Sequence, residues 1–226
     1  MKRFLGAIQF LTVLPVRGKT AEPARAAIYF PLVGALLGAA AWLVPTALGK
    51  LAFLIFITGG LHEDGLADVA DAVREGRPAE RILAILKDSR IGTYGALALI
   101  FSILFRWQAL ETATLPRLVA ALAVSRAAMV MLAYVSHPTG SGLGAAFVSG
   151  VRRWAVALVA MQAVAAAALC GWEGAAMLAA AGVSVALLRA WFHARIGGVT
   201  GDCLGAAEQV TQTLALGIGA WRAFIW

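Results

Sequence analysis

An all-α, polytopic integral membrane helix bundle is the fold class this sequence predicts. Three observations predict it. The mean hydropathy is +0.82. Only 14 % of the 226 residues are charged and 61 % are hydrophobic, whereas a water-soluble domain carries about 25 % charged residues. Apolar runs also recur along the chain at the length a bilayer demands, roughly 20 residues at 1.5 Å rise each. The runs read as about six to eight membrane segments. They form a single membrane domain over residues 1–226, with a polar, acidic loop or helix insert at 62–93.

The elements follow in chain order. Phe4–Val16 is either a short first span or an interfacial helix. With Lys2 and Arg3 before it, it mimics a signal peptide. It lacks a small-residue cleavage site and runs into Val-Pro-Val-Arg, so it reads as retained. Phe30–Leu48 is long enough to cross, and Leu51–Leu61 is too short alone and reads as half of a broken span. Tyr94–Leu110, Leu118–Val135, Trp154–Cys170 and Ala175–Phe192 are further spans. Thr211–Trp226 ends in aromatics, as an interface-anchored helix does. The two cysteines, Cys170 and Cys203, have no partners at metal spacing and give no disulfide framework. The net charge of +7 is spread over loops at Arg17, Lys19, Arg25, Lys50, Arg152 and Arg153. These residues suit membrane orientation and anionic lipid, and substrate phosphates would recruit one or two of them. No nucleic-acid partner is expected. The basic loops fall on both parities of the span count, so they do not fix orientation.

Seven of the twelve acids lie between Glu63 and Asp88, interleaved with Arg74, Arg77, Arg81, Lys87 and Arg90. This segment must face water or line a polar cavity. Gly76 and Pro78 punctuate it, and Pro78 suits the first turn of a helix RPAERILAILKD. Ile82, Leu83, Ile85 and Leu86 give that helix a broad apolar face for the membrane surface. Asp64, Asp68 and Asp71 stand at i, i+4 and i+7, so a helix over Asp64–Val73 projects all three from one face. Like charges so placed repel, and more strongly where screening falls near a membrane. Arg74 can serve Asp71, but it is one charge against three. A divalent cation answers the excess, and oxygen-only ligands suit Mg²⁺ or Mn²⁺. The competing reading is a solvated acidic face. Small neighbours (Gly65, Ala67, Ala70, Ala72) favour the first, because they let a ligand or a second helix approach. His62 is either a structural hydrogen-bonder or functional, and Glu63, about 100° around the helix from Asp64, reads as solvated.

Two further polar islands stand out. In KDSRIGTYG, Lys87, Arg90 and the glycines 92 and 95 suit phosphate contact, with Asp88 beside them. Ser89 or Thr93 serves equally as the N-cap of the following span. In IGGVTGDCLGAAEQVTQT, Thr200, Asp202, Glu208 and Gln209 lie among glycines. Ionisable groups in membrane helices mark functional sites more often than not, and the glycines alone suit helix packing. Thr200 and Asp202 are candidates for a second ligand set or a substrate hydrogen bond. Arg126 sits inside an apolar span and pairs either with an acid or with a phosphate. Arg106, Arg189 and Arg195 flank spans and read as snorkelling.

The stretches GGLHEDGLADVADA, LKDSRIGTYGALAL and GGVTGDCLGAAEQ resemble the motifs of the cobalamin synthase (adenosylcobinamide-GDP ribazoletransferase) family. IQFLTVLPV and YFPLVGALLG are similar to it too, so the resemblance runs nearly end to end. It departs at Glu63, where an apolar residue is expected, and at Ala72, where glycine is frequent. The resemblance implies a multi-pass enzyme of the cell (inner) membrane. It would join GDP-activated adenosylcobinamide to α-ribazole or its 5′-phosphate, releasing GMP, with Mg²⁺ as cofactor. It implies Asp64 and Asp68 as metal ligands and Asp71 as a third ligand or the base. Asp202 would complete the site, with Lys87, Arg90 and Arg126 on phosphate oxygens. His62, Glu63, Asp88, Thr200, Glu208 and Gln209 are further candidates. A homo-oligomer stays open. Two competing functions are a divalent-cation or metabolite transporter and a CDP-alcohol-type phosphotransferase. The first would show paired half-helices in two repeated halves, and no clear internal repeat is legible. The second shares only an Asp-Gly start, DG-x-A-D here against its own DG-x-x-A-R, which is analogy.

Overall fold

A computed structural model describes residues 1–72 and 77–220. The first element, α1 (Lys2–Leu11), is amphipathic: Gly6, Ala7 and Leu11 are buried while Lys2 and Arg3 stay exposed. Next, α2 (Pro23–Ala26), a 3₁₀ turn (Ala27–Tyr29) and α3 (Phe30–Trp42) run on as one 20-residue helical stretch. Pro23 and Pro31 sit in first-turn positions, where the missing N–H has no helical partner to lose. The apolar run expected over Phe30–Leu48 stops at Trp42 because Pro45 interrupts it. Thr46 then caps α4 (Ala47–Ile57), accepting from the Gly49 N–H at 3.1 Å.

Gly59 and Gly60 take φ of 65° and 69°, a left-handed conformation that glycine adopts without strain. They turn the chain directly into α5 (Leu61–Ala72). The remaining helices are α6 (Ala79–Ile85), α7 (Thr93–Glu111), α8 (Leu115–Tyr134), α9 (Leu143–Gly150), α10 (Arg153–Ala168), α11 (Trp172–Ile196) and α12 (Gly201–Ala220). Among the described residues four stretches are long and apolar enough to cross a membrane: Pro23–Trp42, α7, α8 and α11. The α9–α10 pair, bent by 92°, makes a fifth if counted as one span. The all-α polytopic class holds. The larger segment count rested partly on α1 and α4, which have 10 and 11 residues and fall short of a hydrocarbon core about 30 Å thick.

The bundle is organised around α8, which is buried almost throughout from Leu118 to Ala133. Neighbouring helices α3, α10, α11 and α12 surround it. At Gly34 and Gly38, α3 meets the α8 backbone at Leu122 and Leu118 so closely that a Cβ would collide. Large apolar side chains of α7 and α11, including Phe101, Phe105 and Leu187, face outward as lipid-facing residues do. Polar side chains instead fill the seam between α5, α8 and α12, where Glu208, Gln209 and Gln212 are buried.

The acidic segment begins as a packed element of the bundle. Helix α5 lies against α12 and α7 with His62, Glu63, Gly65, Ala67, Val69 and Ala72 buried. Neither α5 nor α6 is a membrane span. The face expected of α6 on the membrane surface is partly turned inward, with Ile82 and Leu86 buried and the helix packed on α5 and α11. The expected Asp71–Arg74 contact and the aromatic end at 221–226 lie outside the described residues.

Candidate functional site

The first two turns of α5 carry carboxylates in two environments. Asp64 is exposed and Asp68 half-buried, on the stripe the sequence predicts. Asp202, in the first turn of α12, is half-buried opposite them. The two helices approach closely because Gly65 faces the α12 backbone at Asp202 and Gly205. A Cβ on Gly65 would stand 2.7 Å from the Asp202 carbonyl oxygen. Asp64 and Asp202 line one cavity of about 200 Å³ with His62, Phe147, Gly144 and Gly205. Among the described residues no basic group lies within ion-pair distance of Asp64, Asp68 or Asp202. Partial burial, then the charges of Asp64, Asp202 and Asp71, push Asp68 up to about 7. Burial also raises Asp202, against the hydrogen bond it accepts from Thr200 at 3.2 Å. The Thr200 Oγ1 also accepts from the Cys203 N–H at 3.4 Å, so Thr200 caps α12.

Asp71, third on the stripe, is differently engaged. Its Oδ2 accepts from the Gly92 N–H at 2.7 Å and its Oδ1 from the Gly95 N–H at 2.9 Å. It thereby satisfies donors at the N-terminus of α7, where a negative charge is favoured. The glycine-rich turn is an anion site, as the sequence suggests, but the anion seated there is the chain's own carboxylate. Side chains at 92 or 95 would strike that carboxylate. Each oxygen already accepts one backbone hydrogen bond, so Asp71 ties the turn before α7 to α5. In the same loop Arg90 hydrogen-bonds Asp88 and holds it down at about 2. This is a surface pair at 2.6 Å with the Arg90 side chain 87 % exposed, weak enough for a phosphate to displace. Lys87 is exposed.

Deeper in the seam, two ion pairs are joined into one network. Arg106 Nη1 reaches Glu63 Oε1 at 2.9 Å, and Arg126 Nη1 reaches Glu208 Oε1 at 2.5 Å. Gln209 Nε2 bridges them, donating to Glu63 at 3.1 Å and Glu208 at 3.2 Å. Gln212 accepts from Arg126, as does Ser125. His62 is buried beside both pairs, and among the described residues neither ring nitrogen has a hydrogen-bond partner. Three expectations change here. Arg126 takes the acid, not the phosphate, because its guanidinium is buried and paired. Glu63 is buried instead of solvated, and Arg106 is fully buried and does not snorkel. The Arg106 pairing was missed, although its place within Tyr94–Leu110 is a sign that it cannot face lipid cheaply. The departure of Glu63 from an apolar residue is the matching sign on α5.

The three carboxylates of Asp64, Asp68 and Asp202 are oxygen-only and net negative, as suits a hard divalent cation, and Asp64 and Asp202 line the cavity. As placed, no group of three His, Cys, Asp or Glu among the described residues stands close enough together to hold one. The fit therefore rests on donor chemistry and on the absence of a paired cation at these three carboxylates.

A family model described as cobalamin-5-phosphate synthase (CobS) matches residues 3–220. The chain is 34 % identical to an adenosylcobinamide-GDP ribazoletransferase of Geotalea daltonii, covering 96 % of each chain. It is 35 % identical to that of Escherichia coli K12, covering 95 % of this chain and 98 % of the relative. It is 37 % identical to that of Vibrio cholerae, covering 95 % and 91 %. No solved structure matches the chain. Over nearly its whole length, through α5, the loop before α7 and α12, the chain belongs to the cobalamin-5-phosphate synthase family, and the three relatives named above are adenosylcobinamide-GDP ribazoletransferases.

Proposed function

We propose that this chain is a Mg²⁺-dependent ribazoletransferase of the cell (inner) membrane, acting in the final assembly of adenosylcobalamin. An acceptor hydroxyl of α-ribazole, or of its 5′-phosphate, attacks the phosphorus attached to cobinamide in adenosylcobinamide-GDP. A new P–O bond forms, the bridging P–O bond of the diphosphate breaks, and GMP leaves. The observation that carries this reading is that Asp64 of α5 and Asp202 of α12 line one cavity without a basic partner among the described residues.

Asp64 and Asp202 would hold Mg²⁺. When bound, the ion would neutralise charge on the diphosphate, which is most of what phosphoryl transfer asks of a protein. Asp68, half-buried beside Asp64 and Asp202 and without a basic partner among the described residues, suits a proton acceptor for the attacking hydroxyl. Asp71 anchors the 87–95 loop to α5, and through it positions Lys87 and Arg90 for phosphate oxygens.

The test is GMP release by the full-length protein in lipid nanodiscs, from adenosylcobinamide-GDP and α-ribazole. Wild type releases GMP with Mg²⁺ and stops when EDTA is added. Asp68→Asn lowers kcat by about 100-fold or more and keeps the thermal stabilisation by Mg²⁺. Release that ignores EDTA, or full activity in Asp68→Asn, overturns the assignment.

A further inference from the structure

A second and larger cavity, of about 580 Å³, opens between α1, α2, α9 and α10. Three arginines line it, Arg3, Arg25 and Arg152, against one carboxylate, Glu22. None of the three is within ion-pair distance of an acid among the described residues. All three are exposed. The Arg3 guanidinium lies 5.4 Å from the centre of the Trp154 ring, a cation–π contact that holds it at the cleft.

This cleft adjoins the acidic cavity. Leu143 and Phe147 of α9 line both, so one helix forms the wall between them. On its acidic side Gly144 touches the start of α12 at Gly201, next to Asp202. On the basic side Gly150 abuts Ala24 of α2. Phe147 is stacked on Phe10 and Phe30, with ring centres 6.0 and 5.5 Å apart, which fixes this wall.

We propose that the Arg3–Arg25–Arg152 cleft binds a phosphate monoester carried by the acceptor alcohol, and so sets the preference for a phosphorylated acceptor. The proposal rests on the transferase reading above. The charges match: three guanidiniums less one carboxylate leave two positive charges, and a phosphate monoester carries about −1.5 to −2 at neutral pH. Arginine is also the side chain whose planar fork fits phosphate oxygens two at a time. In the reaction GMP departs with the other half of the diphosphate. A product described as a 5-phosphate must therefore draw that group from the acceptor. The acidic cavity and the basic cleft share Leu143 and Phe147 of α9 as their common border. An anionic lipid headgroup offers the same chemistry, and the experiment separates the two.

The test compares wild type with Arg25→Gln/Arg152→Gln, both full length, in phosphatidylcholine nanodiscs with and without phosphatidylglycerol. Steady-state GMP release is measured with α-ribazole and with its 5′-phosphate. The double variant is expected to raise KM for the phosphorylated acceptor on the order of 10- to 100-fold. Its kcat, and its KM for α-ribazole, stay unchanged. Calorimetric titration with ribose 5-phosphate gives a readout that needs no turnover: wild type binds it, and the double variant does not. Wild type that binds ribose 5-phosphate but releases no GMP with either acceptor would sink the transferase reading and leave the cleft standing. Absent binding in wild type, an equal loss for both acceptors, or a variant changed only in its response to phosphatidylglycerol overturns the cleft.

Discussion

Glu63 and Asp64 are neighbours on α5, yet they belong to opposite electrostatic regimes. Glu63 turns into the seam and meets Arg106 at 2.9 Å. Asp64 turns to the cavity and meets no basic group among the described residues. The same division holds on α12, where Glu208 is buried against Arg126 and Asp202 is half-buried without a cation. Carboxylates in the interior are neutralised by the chain's own arginines, because an isolated charge there is costly. Carboxylates at the cavity keep water as their alternative, so the fold can leave them available for a partner from outside. On α5 the arginine-paired acid and the cavity-facing acid are adjacent residues, separated by about 100° of rotation.

The largest expected effect comes from breaking the interior side. Arg126→Leu strands Glu208 without its cation and should destabilise by about 3–5 kcal/mol, read as a fall in the thermal midpoint in detergent. Arg126→Leu with Glu208→Leu should recover most of the loss, since removing both partners is far cheaper than removing one. No recovery would mean that the network, not the pair, is the unit. On the cavity side, Asp64→Asn should leave the midpoint nearly unchanged while abolishing its rise with Mg²⁺. Asp71→Asn should do the reverse, costing about 1–2 kcal/mol as a lost cap and retaining the response to Mg²⁺. A response lost in both variants would return Asp71 to the metal site.

The smallest effect is one of pH. Asp68 is raised from 3.8 to about 7 in the folded chain. Between those values the folded chain keeps a proton that the unfolded chain has released. Stability without divalent ions should therefore fall as pH rises through that window, and level off above it. Asp68 is only half-buried, so the slope is modest. Thermal scans in EDTA from about pH 5 to about pH 8 should show it, and Asp68→Asn should flatten it. An equal slope in the variant would assign the titration elsewhere.

The aspartate stripe and Asp202 were legible in the sequence because helix periodicity alone aligns Asp64, Asp68 and Asp71. The polarity of α12 was legible because glutamate and glutamine are rare in membrane helices. What an oxygen touches across the bundle was not. Asp71 shares its stripe with Asp64, yet it lies beside Gly92 and Gly95, more than twenty residues away in the chain. The place of Arg106 near the end of an apolar run allows snorkelling as well as burial, and what decides between them, Glu63, sits on another helix.

By itself, the sequence determined that this chain makes membrane helices and concentrates its acids at α5, since hydropathy and helical spacing are local and additive. Only the tertiary structure decided which acids are neutralised, which is tied to a backbone turn and which face a cavity. Those outcomes depend on distances between helices, and electrostatic energy in a poorly screened interior changes steeply over a few ångströms.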